Sequence, residues 1–372
     1  MAPRLVIDRR TLRLILLAFV LLAGLTLHRL HFAETPGSDE VLVLQGRTMG
    51  TTWEIRVAGE GGDPRLADRV EAETTRRLDQ IDGWMSTWNP GSEISRFNAY
   101  PGTDPFPVSF ETASLVAYAL EVGKISGGAF DVTVGPLVAI WGFGHDAREE
   151  GAQPTDEEIE ELLRHVGARS LRVGRGSPEQ GGFLVKRDPE TRVDLSAIAK
   201  GYGVDHVAEG LYALGLDDFL VEIGGELRAA GERPGGGPWR IAIEKPLDQG
   251  RAIQEVVPLA DQAMATSGDY RVFYLEDDRR ISHTIDPRTG RPVDNRTASV
   301  TVLAPTCTAA DAWATALMVL GPDPGLAIAS QEGLGAMLLL RKEGGEISTV
   351  RNDLFPPTSP GSGAEQDPDP TE

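Results

Sequence analysis

Thiols are nearly absent: Cys307 is the only cysteine among 372 residues. That excludes an internal disulfide, a thiolate zinc site and an iron–sulfur cluster. Basic side chains are also scarce, 36 Lys and Arg against 56 Asp and Glu, for a formal charge of −20. A nucleic-acid binder gains affinity when clustered Lys and Arg release counterions, so that class is excluded. The same shortage means that an anionic ligand has to be held by a metal, by backbone amides or by helix N-termini. Phosphate-binding signatures are missing too. In Lys200-Gly201-Tyr202-Gly203 the lysine precedes the glycines and the third glycine is lacking, so neither a Walker A loop nor a complete dinucleotide fingerprint is present. No internal repeat of short period occurs. What is there is ordinary globular material, 41 % hydrophobic and 25 % charged, which excludes wholesale disorder. The length suits one large domain or two moderate ones.

The two ends stand apart from the body. Arg4, Arg9, Arg10 and Arg13 precede an apolar run over residues 14–27, and His28 and Arg29 follow it. These are the basic and apolar regions of an export signal. As a helix the run is about 21 Å long, short of the ~30 Å hydrocarbon core. Length favours a signal peptide, but no convincing small-x-small cleavage site follows. Residues 1–30 are therefore read as an uncleaved anchor with snorkelling arginines, and cleavage with secretion is the alternative. Positive charge ahead of the run sends the body across the membrane, to face the periplasm or the cell exterior. Asp8-Arg9-Arg10-Thr11-Leu12 is a loose twin-arginine match. Residues 31–40 read as a linker and 41–354 as the body. Residues 355–372 are rich in Pro, Gly and acids and are expected to be disordered.

Within the body, residues 52–57 alternate as a strand, with 41–44 its expected partner. Residues 65–82 and 111–126 read as helices, and Ser92 is placed to cap a short helix through Phe97. Thr155 and Glu158 form a capping box at the head of a further helix. A short strand is expected over 192–195 and a helix over 197–214. Residues 219–223 and 227–230 read as a hairpin, while 239–243, 300–303 and 336–340 read as strands. The helix over 308–320 is expected to be closed by Gly321 and Pro322. No regular βαβ rhythm is present, so the fold class is α+β with largely antiparallel sheets and flanking helices.

Five polar stretches are rich in glycine, at 48–52, 127–131, 194–203, 265–270 and 283–290, and each is also compatible with a plain turn. Asp311 and Thr315 are i,i+4 on one expected helix and share a face. They offer a carboxylate and a hydroxyl, both hard oxygens of the kind Mg²⁺ accepts beside substrate phosphates. A place near the positive helix N-terminus for Asp311 and bonding to its own helix backbone for Thr315 are the structural alternatives. Of the six histidines, His283 alone is followed by a polar turn with an Asp, a setting suited to a base. His28 and His31 belong to the export segment, and His145 lies in a Gly-rich loop. Cys307 reads as a packing residue.

Taken together, MGTTW, MSTWNPGSEISRFN, GGAFDVTVGP, DLSAIAKGYGVD, LVEIGGELRAAG, ATSGDYR, HTIDPRTG and ADAWATALMVLG stand in an order that resembles the ApbE family. The resemblance covers residues 45–340. It implies a single catalytic α+β domain and a Mg²⁺-dependent FAD:protein FMN transferase. In that reaction a Thr or Ser hydroxyl of an acceptor protein attacks the FMN-side phosphorus of FAD, and AMP leaves. By the same resemblance Asp311, Thr315 and the Ala199 carbonyl ligate Mg²⁺. Met49, Trp88, Ala129, Phe130, Asp131, Lys200 and Gly203 match positions lining the FAD site, and His283 matches the base. Asp269 is a second polar candidate. The implied partner carries a Ser/Thr-Gly-Ala-Thr-like segment, as on a membrane redox subunit. Two departures from the family pattern are the missing N-terminal lipoprotein cysteine and the acidic tail. A Mg²⁺-dependent FAD pyrophosphatase and a non-catalytic FAD-binding protein are the alternatives.

Overall fold

The computed structural model describes residues 40–360, apart from 145, 149–152, 248–249, 251, 271, 277–278, 343 and 345. The expected export segment, most of the linker, His145 and the end of the tail lie outside the described residues. Among the described residues no helix is long and apolar enough to cross a membrane.

One eight-stranded sheet organises the chain: β1 (Val41–Thr48), β2 (Thr51–Ala58), β3 (Phe219–Ile223), β4 (Glu226–Ala230), β5 (Gln262–Gly268), β6 (Thr297–Ala304), β7 (Gly335–Arg341) and β8 (Ile347–Arg351). The strands lie side by side in chain order, and every neighbouring pair is antiparallel. The helices are insertions into this meander. Between β2 and β3 come α1 (Pro64–Met85), α2 (Glu93–Ala99), α3 (Phe110–Ile125), α4 (Gly135–Ile140), α5 (Asp156–Leu163) and α6 (Ala199–Ala213). Between β6 and β7 come α7 (Cys307–Leu320) and α8 (Pro322–Gln331). The α+β expectation holds.

Alternation along the strands sorts the two faces. Ala263 and Ala265 of β5 join the cores built with α1, α6 and α7, whereas Met264 between them packs on the opposite face. That second face is covered by a hairpin of Trp239–Glu244 and Ile253–Leu259, through Trp239, Ile241, Ile243, Val257 and Leu259. The chain remains attached beyond residue 354. Phe355 is buried in the same cluster, and Ser359–Pro360 pairs with the strand Ile253–Leu259.

Local signals place the helices. Ser92 caps α2 by accepting from Ser95 N at 3.0 Å, and the Thr155–Glu158 capping box is formed in both directions. One expectation fails for a tertiary reason. Residues 192–195 are not a strand, because the Asn98 side chain brackets Val193, accepting from its N–H at 2.7 Å and donating to its carbonyl at 2.8 Å. Pro322 does more than close α7. Gly321 turns the chain at φ 78°, and Pro322 then opens α8, where its missing N–H costs nothing.

One charge lies deep in the small sheet at the far side of α3. Lys186, on the strand Gly182–Lys186, is fully buried. Its ammonium donates to the Asn98 carbonyl at 3.2 Å, in the last turn of α2, and sits 5.3 Å from the centre of the Phe97 ring. Burial pushes its pKa down to about 8 from 10.5. Between those values the unfolded chain binds the proton and the folded one does not, so this group makes stability rise with pH. The stability of wild type relative to Lys186→Met is therefore expected to increase from about pH 7 to about pH 9.5. Urea unfolding at the two values checks this, and a difference independent of pH would contradict it.

Candidate functional site

A cavity of about 600 Å³ opens where the strand edges, the first turn of α6 and the middle of α7 converge. Its floor is set by the contact between the two helices. A Cβ on Gly201 would stand 2.3 Å from the Cys307 carbonyl oxygen and 2.7 Å from Asp311 Cβ, so only glycine permits this approach. The Gly201 N–H then donates to Asp311 Oδ2 at 2.9 Å. Asp205, one turn further along α6, accepts from the Cys307 and Thr308 N–H groups at 2.9 and 2.8 Å and from the Thr308 hydroxyl at 2.6 Å. Arg228 of β4 completes its shell at 2.9 Å. Thr306 caps the same helix end, so the unpaired amides that begin α7 are answered.

This anchoring turns Asp311 and Thr315 to the cavity from one face of α7. Thr315 Oγ1 lies 3.2 Å from Ser267 Oγ on β5. Opposite them, Lys200 forms an ion pair with Glu226 at the start of β4. The second carboxylate oxygen of Glu226 is buried with no hydrogen-bond partner. Burial raises the pKa of Glu226 and of Asp311. Burial alone would lower Lys200, but the carboxylates of Glu226 and Asp311 outweigh it and hold the ammonium above its ordinary value. Two carboxylates facing one ammonium leave the floor short of positive charge. A hard dication resting on the Asp311 carboxylate and the Thr315 hydroxyl fits that deficit and that donor set. Among the described residues no group of three or more His, Cys, Asp or Glu side chains could hold a metal, so such an ion would also need carbonyl or ligand oxygens.

His283 lines the other side. Its Nδ1 lies 2.9 Å from the Val272 carbonyl oxygen. A carbonyl only accepts, so Nδ1 carries the proton and Nε2 presents a lone pair. Burial lowers the imidazole pKa, partly offset by the bond to Val272. A neutral ring with a fixed tautomer is what a general base requires.

Of the residues singled out in the sequence, Phe130, Asp131, Lys200, His283, Asp311 and Thr315 meet at this cavity. The Asp131 carboxylate is already occupied, accepting from Thr133 N and Oγ1 at 2.8 and 2.6 Å and from Ala168 N at 2.9 Å. Met49, Trp88, Ala129, Ala199 and Gly203 are not among its lining residues. Met49 and Gly50, both at positive φ, make the two-residue turn between β1 and β2. The Met49 methyl would lie 3.1 Å from a Cβ at Gly203, so these two pack against each other. Ala129 is buried, Ala199 begins α6, and Trp88 is 68 % exposed on the loop after α1. Glu226, Asp205 and Ser267 were not singled out beforehand. The one signal for Glu226 was a charge at the head of a strand that, Arg228 apart, is otherwise apolar.

Comparison with known proteins gives the chain clear relatives. Residues 49–338 match the sequence pattern of the ApbE family. The chain is 44 % identical over 308 residues to a FAD:protein FMN transferase of Vibrio cholerae, covering 82 % of this chain and 89 % of that one. It is 40 % identical over 318 residues to the protein of the same name from Escherichia coli K12, with 86 % and 89 % covered. The solved flavin transferase ApbE from Vibrio cholerae superposes with a TM-score of 0.75 at 41 % identity, over 85 % of this chain and 98 % of that chain.

The helix contact makes a direct prediction. Gly201→Ala is expected to cost about 1–3 kcal/mol by forcing α6 and α7 apart. Urea unfolding measures it, and an unchanged midpoint would show that the two helices have room to spare.

Proposed function

Because the chain belongs to the ApbE family, we propose that it transfers FMN from FAD to a Ser or Thr hydroxyl of an acceptor protein, releasing AMP. The observation that carries this reading is the cavity itself. It sets a neutral imidazole with an open Nε2 across from a carboxylate–hydroxyl face and an ammonium.

In this reading Nε2 of His283 takes the proton of the incoming hydroxyl. The hydroxyl oxygen bonds to the FMN-side phosphorus, and the bond from that phosphorus to the bridging diphosphate oxygen breaks. AMP departs with that oxygen, and the proton is returned to solvent or product from the imidazole. Lys200, held in place by Glu226, lends positive charge to the phosphoryl oxygens. Asp311, Thr315 and the Ala199 carbonyl would hold Mg²⁺, which when bound neutralises the diphosphate and orients it. Phe130 lines the cavity beside the flavin. Met49, Ala129 and Gly203 match FAD-site positions of the family from off the cavity lining, and Trp88, exposed on the loop after α1, would stack on a flat ring. The export segment, residues 1–30, supports a body facing the periplasm or cell exterior, held by a membrane anchor. The acceptor is then a membrane redox subunit with a Ser/Thr-Gly-Ala-Thr-like segment.

The test combines the purified chain, FAD, Mg²⁺ and an acceptor domain, reading intact mass and released nucleotide. An acceptor heavier by one esterified FMN, together with AMP, is expected. AMP with free FMN and an unmodified acceptor would make the protein a pyrophosphatase instead, and bound FAD without turnover would make it a carrier. Asp311→Ala or a chelator is expected to abolish turnover while FAD-free folding is retained. His283→Ala is expected to slow transfer by about a hundredfold or more, far more than it weakens FAD binding. Because the folded imidazole titrates below its ordinary 6.5, activity should persist through that pH and fall only in more acid solution. An acid limb centred above 6.5 would contradict the burial assigned to His283.

A further inference from the structure

The group behind His283 is a backbone carbonyl rather than a carboxylate, so the aim of the imidazole depends on where the chain leaving β5 places Val272. The chain leaves the sheet after Gly268, and its point of departure, Asp269, is held from three directions. Asp269 N donates to the Ala298 carbonyl at 3.1 Å, one more rung on β6. Its carboxylate accepts both terminal N–H groups of Arg341, at 2.5 and 2.7 Å, a charge-assisted fork. Arg280 donates to the Asp269 carbonyl at 3.3 Å while its guanidinium lies 3.6 Å from the centre of the Phe273 ring. Asp269 is buried, and Arg341 is the last residue of β7, where its own N–H is taken by the Arg296 carbonyl at 2.9 Å. Both oxygens of Asp269 are committed to Arg341, so it is not a second base.

We propose that Asp269 and Arg341 are a positioning pair that clamps the chain to β7 where it leaves β5, and so fixes the Val272 carbonyl and the aim and tautomer of His283. Neither residue lines the cavity; they act through the ring. The proposal rests on the base role of His283 given above.

In the full chain, Arg341→Gln and Asp269→Asn are each expected to lower kcat about ten- to a hundredfold. The KM for FAD should stay within about twofold, because ground-state contacts are untouched. Arg341→Lys keeps the charge without the fork and should recover part of the loss. In a His283→Ala background either substitution should add nothing further, since groups acting through one residue are not additive. The pH profile supplies a second reading. The charged groups acting on the ring are Lys200 from α6 and Asp269, with the Phe143 ring edge-on at 6.2 Å. Removing the Asp269 charge should move the acid limb down, and removing Arg341 should move it up. Losses that multiply in the His283→Ala background, or unchanged kcat in the folded single variants, would overturn the pair. Should Asp269→Asn fail to fold, Arg341→Gln and Arg341→Lys decide alone. An unchanged rate in His283→Ala by itself would instead overturn the base reading.

Discussion

Helices α6 and α7 meet so closely at Gly201 that its N–H reaches the Asp311 carboxylate, and the rest of the cavity is arranged around that meeting. Asp205 secures it from the next turn, taking the leading amides of α7 with one carboxylate. Arg228 ties the same carboxylate to β4, so two helices and the sheet share one junction. The position of Thr315, and its contact with Ser267, follow from where that junction starts α7. The lysine beside Gly201 and the glutamate two residues before Arg228 are thereby brought within reach of each other.

Charge is handled economically in a chain that carries −20 overall. An acidic protein cannot draw in a diphosphate by its net field. What the cavity offers instead is local: an ammonium paired with a buried carboxylate, a face of hard oxygens and a neutral imidazole. The carboxylates of Glu226 and Asp311 raise the pKa of Lys200 against the burial that would lower it, and so favour its charged form. The same carboxylates would repel an anion arriving alone, so in the proposed function binding of the diphosphate and of a cation would be coupled.

Much of this was legible in the sequence, and the parts that were not share a cause. Caps at Ser92 and Thr155 were readable because the bonds they make lie within three residues. Asp311 and Thr315 were readable because helical spacing puts them on one face. The irregular run at 192–195 was misread because the amide of Asn98, far back in the chain, takes the bonds a ladder would have made. Pro322 ends one helix and begins another, and only the path through Gly321 distinguishes the two. Glu226, Asp205 and the Asp269–Arg341 fork depend on partners between 23 and 103 residues away. No local pattern reports such distances. The family resemblance named the polar residues on the cavity wall, but Trp88 and Ala199 owe their expected roles to it and not to a position on that wall.

The meander in chain order has a consequence for how the molecule assembles. β1 pairs with β2 through two residues, and β3 with β4 and β7 with β8 across short connections, while residues 231–261, residues 269–296 and the α7–α8 excursion separate the pairs from β4 to β7. The ladder between β2 and β3 differs, because residues 59–218 intervene. Closing a loop costs entropy that grows only with the logarithm of its length, but contacts so far apart slow the search for the native arrangement. The sheet thus has one seam that must wait for its insertion. Since α6 runs directly into β3, the seam and the lysine-bearing end of the cavity are completed in the same event.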